Sequence, residues 1–390
     1  MATTLVTVSR PSNKPEEPTG PRPAHHVNNT KSLFTNPWPS FQMPSFWGLS
    51  GFMWQLATAA PKPGSDIESL VKLQTPTWGK DAKKEELKAT WLGHACFLVE
   101  LPTPAGAARG PRILYDPVFS HRCSPSAYAG PARYTKPPCP IESIPDVDAV
   151  VISHNHYDHL DEPTITTLKR QHNPHFFVPL NNDAIMASLG IAPTHTHILD
   201  WWEHREISVE LPTETGGKIT SNFRLTCTPA QHMSARGMFD RMHTLWASWA
   251  LEELPASTPT PGNKGYKVWF GGDTGYRHVK PDQNEDEVPV CPAFKEIGEK
   301  FGGFDLALIP IGAYNPRMEM SSMHASPSDA VRIFQDIKAK KAIGMHWGTW
   351  VLTIEPVMEP PTLLAQEVKK AGLHEEAFTV CGMGATVVVP

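Results

Sequence analysis

The sequence has no uninterrupted apolar run of about 18 residues, so no stretch is built to cross a bilayer as a helix. It has no block of lysine and arginine, and its formal net charge is only −5. A nucleic-acid partner is therefore not expected. No G-x-S-x-G elbow occurs, so Ser/His/Asp hydrolysis lacks its motif. No two of the six cysteines (Cys96, Cys123, Cys139, Cys227, Cys291, Cys381) form a C-x-x-C pair. Several sit in strand-like apolar runs and read as buried thiols of a reducing compartment, not as a disulfide frame. The first eight residues are too short for the apolar core of a secretory signal. Arg10 and the scarcity of early acids leave room for a weak organellar signal, a mitochondrial one included, but Glu16 and Glu17 interrupt it. The expectation is an intracellular protein.

Proline, in contrast, is abundant. There are 40, about twice the usual share of roughly 5%, concentrated in the N-terminal segment and in loops. Residues 1–33 carry few large apolar groups and are expected to form a disordered tail. Residues 34–84 form an aromatic-rich arm. Trp38, Phe41, Phe46, Trp47, Phe52, Met53 and Trp54 crowd together, with no charge until Lys62. Such an arm either packs on the main body or lies at a lipid interface. Residues 85–390 read as the main domain.

That domain is organised around residues 147–161. Val147, Ala149, Val150 and Ile152 predict a buried strand. His154, His156, Asp158 and His159 follow within six residues, and a helix is expected from about 162 to 171. The polar cluster thus sits at the carboxyl end of a strand, where open α/β sheets place their sites. In an extended turn, side chains two apart point the same way, so His154 and His156 can share one cation. Asp158 and His159 face a neighbouring position. Imidazole with carboxylate suits zinc, and also iron or manganese.

The pattern recurs. The expected strands at 222–228, 267–270 and 342–345 run into loops bearing His232, Asp273 and His346. With the first cluster these make seven nitrogen and oxygen ligands, enough for two ions sharing a carboxylate. Gly271 and Gly272 on their own would explain a tight turn at Asp273. Further strands are expected at 95–101, 112–115, 175–179, 206–211, 244–251, 305–311 and 385–389. Helices are expected at 183–189, 293–301, 327–338 and 361–371, the third opening at Ser326-Pro327. Two strand-first runs predict two packed sheets covered by helices. His94 reads as a turn residue or as a support for metal-bound imidazoles.

His154-x-His156-x-Asp158-His159, followed by His232, Asp273 and His346, resembles the metallo-β-lactamase fold. Flanking words extend the likeness: Asn36-Pro-Trp-Pro, Trp91-Leu-Gly-His, Asp200-Trp-Trp-Glu, Gly272-Asp-Thr-Gly-Tyr and His346-Trp-Gly-Thr. These resemble the N-acyl-phosphatidylethanolamine-hydrolysing phospholipase D family from about residue 36 onward. The resemblance implies an αββα sandwich and two Zn2+ ions. It implies hydrolysis of N-acyl-phosphatidylethanolamine to N-acylethanolamine and phosphatidic acid, with a phospholipid substrate, peripheral membrane contact and a homodimer. It places His154, His156 and His232 on one zinc, and Asp158, His159 and His346 on the other, with Asp273 between them. Asp158, Asp273 and His324 would serve catalysis. Tyr128, Tyr157 and His324 would contact substrate, with His324 a candidate proton donor to the leaving group. Ala127 and Met323 stand where family members carry Gln, which bears on head-group selectivity. An acidic insertion covers roughly 278–289. The rival readings are a lactonase or small-phosphodiester hydrolase of the same fold, a nuclease, and a lipid-binding protein with structural metals.

Overall fold

Unbroken apolar runs and alternating ones take different places in this chain. The computed structural model describes residues 4–10, 22–237, 239–255 and 265–390. In chain order its strands are β1 (Leu5–Ser9), β2 (Leu87–Gly93), β3 (Cys96–Glu100), β4 (Arg112–Tyr115), β5 (Ala149–Val151), β6 (His175–Pro179) and β7 (Thr196–Leu199). They continue with β8 (His204–Pro212), β9 (Lys218–Thr228), β10 (Ser248–Leu254), β11 (Lys267–Phe270), β12 (Leu306–Pro310), β13 (Ala342–Met345), β14 (Phe378–Thr379) and β15 (Thr386–Val389). The helices are α1 (Phe46–Ala59), α2 (Ile67–Leu70), α3 (Glu162–His172), α4 (Asp183–Ser188), α5 (Ala293–Phe301), α6 (Arg317–Met320), α7 (Pro327–Asp336) and α8 (Glu359–Lys370). β12 is buried at every position, as a parallel strand covered on both faces must be. β8 alternates between buried and half-buried residues, as a strand with one wet face does.

Two sheets result, ordered β1-β8-β9-β10-β11-β12-β13-β14 and β15-β2-β3-β4-β5-β6-β7. Each is antiparallel on one side and parallel on the other, from β11 to β14 and from β4 to β7. Between them lies a core that includes Trp91, Phe97, Phe223, Trp249, Trp269 and Phe270. Each such side chain contributes about 1.5–3 kcal/mol when fully buried. Outside the second sheet, Ile165 and Leu168 of α3 and Met186 of α4 pack with Val150 and Phe176. Outside the first, Phe294 and Ile297 of α5, Ile333 and Phe334 of α7, and Leu364 and Val368 of α8 join the core. Helix α7 starts at a capping box in which Ser326 and Asp329 satisfy each other's backbone N–H. The architecture is the αββα sandwich of the metallo-β-lactamase fold.

The expected disorder over 1–33 does not describe the residues placed here. Leu5–Ser9 pairs antiparallel with β8, Leu5 opposite Glu210 and Ser9 opposite Glu206. An edge strand offers unpaired backbone groups to any extended segment, and that tertiary opportunity leaves no trace in composition. Residues 22–33 are anchored through the buried His25 and His26, while residues 11–21 lie outside the described ones. β10 begins at Ser248, not near 244. Leu245 and Ala247 donate their backbone N–H groups to Leu180 O and Ser153 O instead. Part of the arm packs on the main body, as one of the two expected readings has it. Phe34, Asn36 and Ser40 are buried against the main body. Helix α1 buries Phe52 and exposes Phe46, Trp47, Met53 and Trp54.

Candidate metal centre

The parallel arrangement carries the carboxyl ends of β5, β11 and β13 to one edge of the sandwich, and β9 delivers its own loop there. The β5 loop supplies His154, His156, Asp158 and His159. The β9 loop supplies His232, the β11 loop Asp273 and the β13 loop His346. Gly272 makes the β11 turn feasible. Its φ is +56°, and an added Cβ would lie 2.5 Å from Ser153 Cβ. His94 and His346 take left-handed backbone conformations, with φ of 52° and 64°. Each costs roughly 1–2 kcal/mol outside glycine. The two are tied together, His346 N–H donating to His94 O at 3.1 Å.

All seven expected ligands converge. His154 Nε2 and His232 Nε2 lie 2.8 and 3.2 Å from His156 Nδ1. Both face Asp273 Oδ2, at 3.9 and 3.7 Å. The other carboxylate oxygen, Asp273 Oδ1, faces His159 Nε2 at 3.2 Å and His346 Nε2 at 3.0 Å. Asp158 Oδ2 sits 3.5 Å from each of these two imidazoles. One carboxylate thus turns one oxygen to each half of the cluster. His94 adds an eighth group, its Nε2 2.9 Å from Asp158 Oδ2.

The approach of His159 Nε2 and His346 Nε2 to Asp273 Oδ1 is not hydrogen bonding. Asp273 Oδ1, His159 Nε2, His346 Nε2 and His324 Nδ1 are buried without a hydrogen-bond partner. Orphaned buried polar atoms are expensive, and here they converge on one spot. The donor set of imidazole and carboxylate fits a divalent metal. Outer contacts aim the lone pairs inward. His232 Nδ1–H donates to Met323 O at 2.9 Å, leaving Nε2 free. His159 Nδ1 meets Asp116 Oδ2 at 2.6 Å. Ser153 Oγ donates to Asp116 Oδ2 and lies 2.8 Å from His154 Nδ1. Such contacts orient ligating imidazoles.

The two halves differ in charge. Burial, together with the neighbouring imidazoles, pulls His154 well below the ordinary histidine value. His232 is also held well below it, burial prevailing over the attraction of Asp273. Both present neutral nitrogens. On the other half burial also lowers His159, but Asp273, Asp158 and Asp116 outweigh it and hold it well above that value. His346 is pushed up to about 9, burial being outweighed chiefly by Asp273 and Asp158. His94 is pulled down to about 3 by burial and by His346, against Asp158.

His324 joins the cluster, with Nδ1 3.8 Å from Asp273 Oδ2. Burial lowers it to about 4 against the attraction of Asp273. It is therefore neutral near pH 7, not the ready acid that an ordinary histidine would be. Tyr157 lies beneath the Arg236 guanidinium, 3.9 Å from its ring centre. Tyr128 is 93% exposed and lines neither of the two nearby cavities. The first of these, about 210 Å³, runs from Leu49 and Phe52 of α1 past Met320 and Met323 to His156, His232 and His324. The second, about 490 Å³, is lined by Arg122, Ser126, Ala127, Tyr157 and Arg236.

Sequence reasoning missed three supports. Asp116 was legible only as the end of a strand, yet it holds Ser153 and His159. Arg236 donates to Asn155 O and Leu160 O and so braces the ligand turn. Asn36 grips the His232 backbone, donating to its carbonyl at 2.7 Å and accepting its N–H at 3.2 Å. An Asp-Pro pair after a strand was the one available hint for Asp116.

Comparison with known proteins gives the family. The profile of the beta-lactamase superfamily domain matches residues 111–347. The N-acyl-phosphatidylethanolamine-hydrolyzing phospholipase D 1 of Caenorhabditis elegans is 37% identical over 331 residues, covering 83% of this chain and 82% of the nematode protein. The chain belongs to the N-acyl-phosphatidylethanolamine-hydrolysing phospholipase D family. A mitochondrial member from Saccharomyces cerevisiae is 31% identical over 323 residues, spanning 82% of this chain and 60% of its own length. An isothiocyanate hydrolase from Delia radicum gut bacteria shares the fold, with a TM-score of 0.50 at 16% identity over 77% of this chain and 98% of its own. Membership of this phospholipase D family and superfamily makes the protein a metal-dependent hydrolase. Among the described residues no helix is long and apolar enough to cross a membrane.

Proposed function

We propose that this protein hydrolyses N-acyl-phosphatidylethanolamine to N-acylethanolamine and phosphatidic acid, using two zinc ions at the cluster around Asp273. The observation that carries the substrate class is the apolar cavity joining α1 to His156, His232 and His324. A site for a water-soluble phosphodiester has no use for a Met- and Phe-lined approach, whereas an acyl chain does. The same helix α1 that lines the cavity through Leu49 and Phe52 exposes Phe46, Trp47, Met53 and Trp54 and carries no charge. Contiguous exposed apolar surface marks a partner or a membrane, and tryptophan favours the bilayer interface. Peripheral contact with a lipid surface follows. The mitochondrial name of the yeast relative supports an organellar membrane as the address.

His154, His156 and His232 would hold one ion, and Asp158, His159 and His346 the other, with Asp273 reaching both. A bound ion pair supplies an activated water, whose pKa falls from 15.7 towards about 7, and charge stabilisation at phosphorus. The residues do the rest. Asp273 fixes the spacing of the two halves through its two oxygens. His324, neutral and buried, presents its ring beside Asp273. The arriving phosphodiester anion would raise the proton affinity of that ring, which would then take up the proton released by the attacking water and pass it to the departing N-acylethanolamine oxygen. The P–O bond to the ethanolamine breaks, and the water oxygen stays on phosphatidic acid. Tyr157 and Arg236 line the polar cleft on the other side.

The test is a product assay by mass spectrometry, with zinc-loaded protein, the lipid in detergent micelles and an Asp273→Asn control. N-acylethanolamine and phosphatidic acid from the wild type alone are expected. Survival of the lipid while a small phosphodiester is cleaved would keep the metal centre and discard the substrate.

A further inference from the structure

A second buried cluster of metal-binding type lies away from the centre around Asp273. His25 and His26, consecutive in the arm, both turn their rings onto Asp200, in the turn between β7 and β8. All three are buried, and their ligand atoms lie within 4.8 Å of one another. His25 Nε2 is 2.7 Å from Asp200 Oδ1, and His26 Nε2 is 2.9 Å from Asp200 Oδ2. The second contact lacks hydrogen-bond direction, so His26 Nε2 is a buried nitrogen without a partner. Close approach of imidazole to carboxylate with no hydrogen bond between them is also how His346 Nε2 stands to Asp273 Oδ1. Among the described residues, the ion-pair partners of Asp200 are these two histidines and no lysine or arginine.

The rings are held in place independently of Asp200. His25 stacks on Trp201 with centroids 4.3 Å apart, and His26 meets Phe34 edge-on at 5.4 Å. Asp200 Oδ1 is further fixed by the Trp201 N–H at 2.8 Å. Ligand atoms around a tetrahedral first-row ion sit about 3.2–3.5 Å apart, so small shifts of three side chains would complete the shell. Two imidazoles and a carboxylate, with water in a fourth position, suit zinc or a neighbouring divalent ion.

We propose that His25, His26 and Asp200 form a structural divalent-cation site, separate from the catalytic cluster, that clips the arm to the sandwich. Its position gives it leverage. Ten residues beyond His26, Asn36 holds the backbone of His232, and Ser40 Oγ donates to Gln231 Oε1 at 2.6 Å. An ion at the clip would therefore steady the segment that braces one catalytic ligand. The proposal does not depend on which substrate the enzyme takes.

The experiment counts zinc by plasma mass spectrometry in full-length protein equilibrated with zinc and then desalted. Compared are the wild type, the His25→Gln/His26→Gln double variant and Asp273→Asn. The expected result is one zinc per chain fewer in the double variant than in the wild type. At least one ion should persist in Asp273→Asn, with a zinc-dependent rise in melting temperature that shrinks when His25→Gln/His26→Gln is added to Asp273→Asn. Equal zinc content in wild type and double variant would overturn the site and leave a hydrogen-bonded latch. If the double variant does not fold, the same count on His26→Gln alone decides, because one removed ligand of three should weaken retention by tenfold or more.

Discussion

Asp273 and Asp329 are both buried carboxylates, and their surroundings are opposite. Asp329 is saturated. Arg277 Nε donates to it at 2.6 Å, Ser326 donates through its hydroxyl and its N–H, and Arg317 lies at 2.8 Å. Asp273 has an oxygen with no hydrogen bond at all, facing imidazole nitrogens at 3.0 and 3.2 Å. Both carboxyls lie below the ordinary range. For Asp329 burial opposes this and the two arginines outweigh it. For Asp273 burial opposes it and His159 and His346 prevail. Equal burial thus serves two ends. A carboxylate whose bonding is complete holds the fold, and one left open is set aside for a ligand.

The sharpest test of that contrast is Asp273→Asn, which should lower turnover by roughly 10³-fold or more, because it disturbs both halves of the cluster. Circular dichroism should show the fold retained. Asp329→Ala should do the reverse, destabilising by about 3 kcal/mol in urea unfolding, because Arg277 and Arg317 both lose their fully buried carboxylate and keep only the more exposed Glu285 and Asp286. If both variants melt alike, the contrast fails. Asp329 also gives a pH signature in metal-free protein. Its folded pKa is depressed, so its stabilisation is present above the ordinary carboxylate value of about 3.9 and is lost as pH falls through the lower folded value. The variant should show a flatter acid limb in melting temperature below about pH 5. Asp116→Asn stands between the two cases, since Asp116 supports ligands without facing the open spot. It should weaken metal affinity about 10–100-fold by chelator competition, with a smaller effect on stability. Smallest is Trp47→Ala/Trp54→Ala, which should leave stability within about 0.5 kcal/mol and micellar turnover unchanged. Its loss should appear in co-sedimentation with phospholipid vesicles.

Much of this was legible from the order of residues. Three histidines and an aspartate in six positions after Val150 and Ile152 announced a metal turn, and later strand ends pointed to His232, Asp273 and His346. Those signals are local, because strand and ligand are adjacent in the chain. What stayed hidden depends on distant contacts. Asp116 looks like any strand terminus until Ser153 and His159 close on it. Leu5–Ser9 looks like tail until β8 offers an edge. Tyr128, chosen by resemblance, stands in solvent, because the residues around it form a loop with its own turns, Ser126 Oγ accepting the Tyr128 N–H. α1 was readable as aromatic but not as a helix, since Gly48 and Gly51 weaken its propensity and Ser45 starts it by capping Gly48 N–H.

The grip of Asn36 on His232 bears on where this enzyme can be cut. Residues 85–390 contain every one of the seven expected ligands, and a truncation beginning there would look complete on paper. It would lack the two hydrogen bonds that seat one of those ligands, the serine that steadies its neighbour Gln231, and the wall of the apolar cavity contributed by Leu49 and Phe52. The minimal working unit is therefore larger than the sandwich that bears the chemistry.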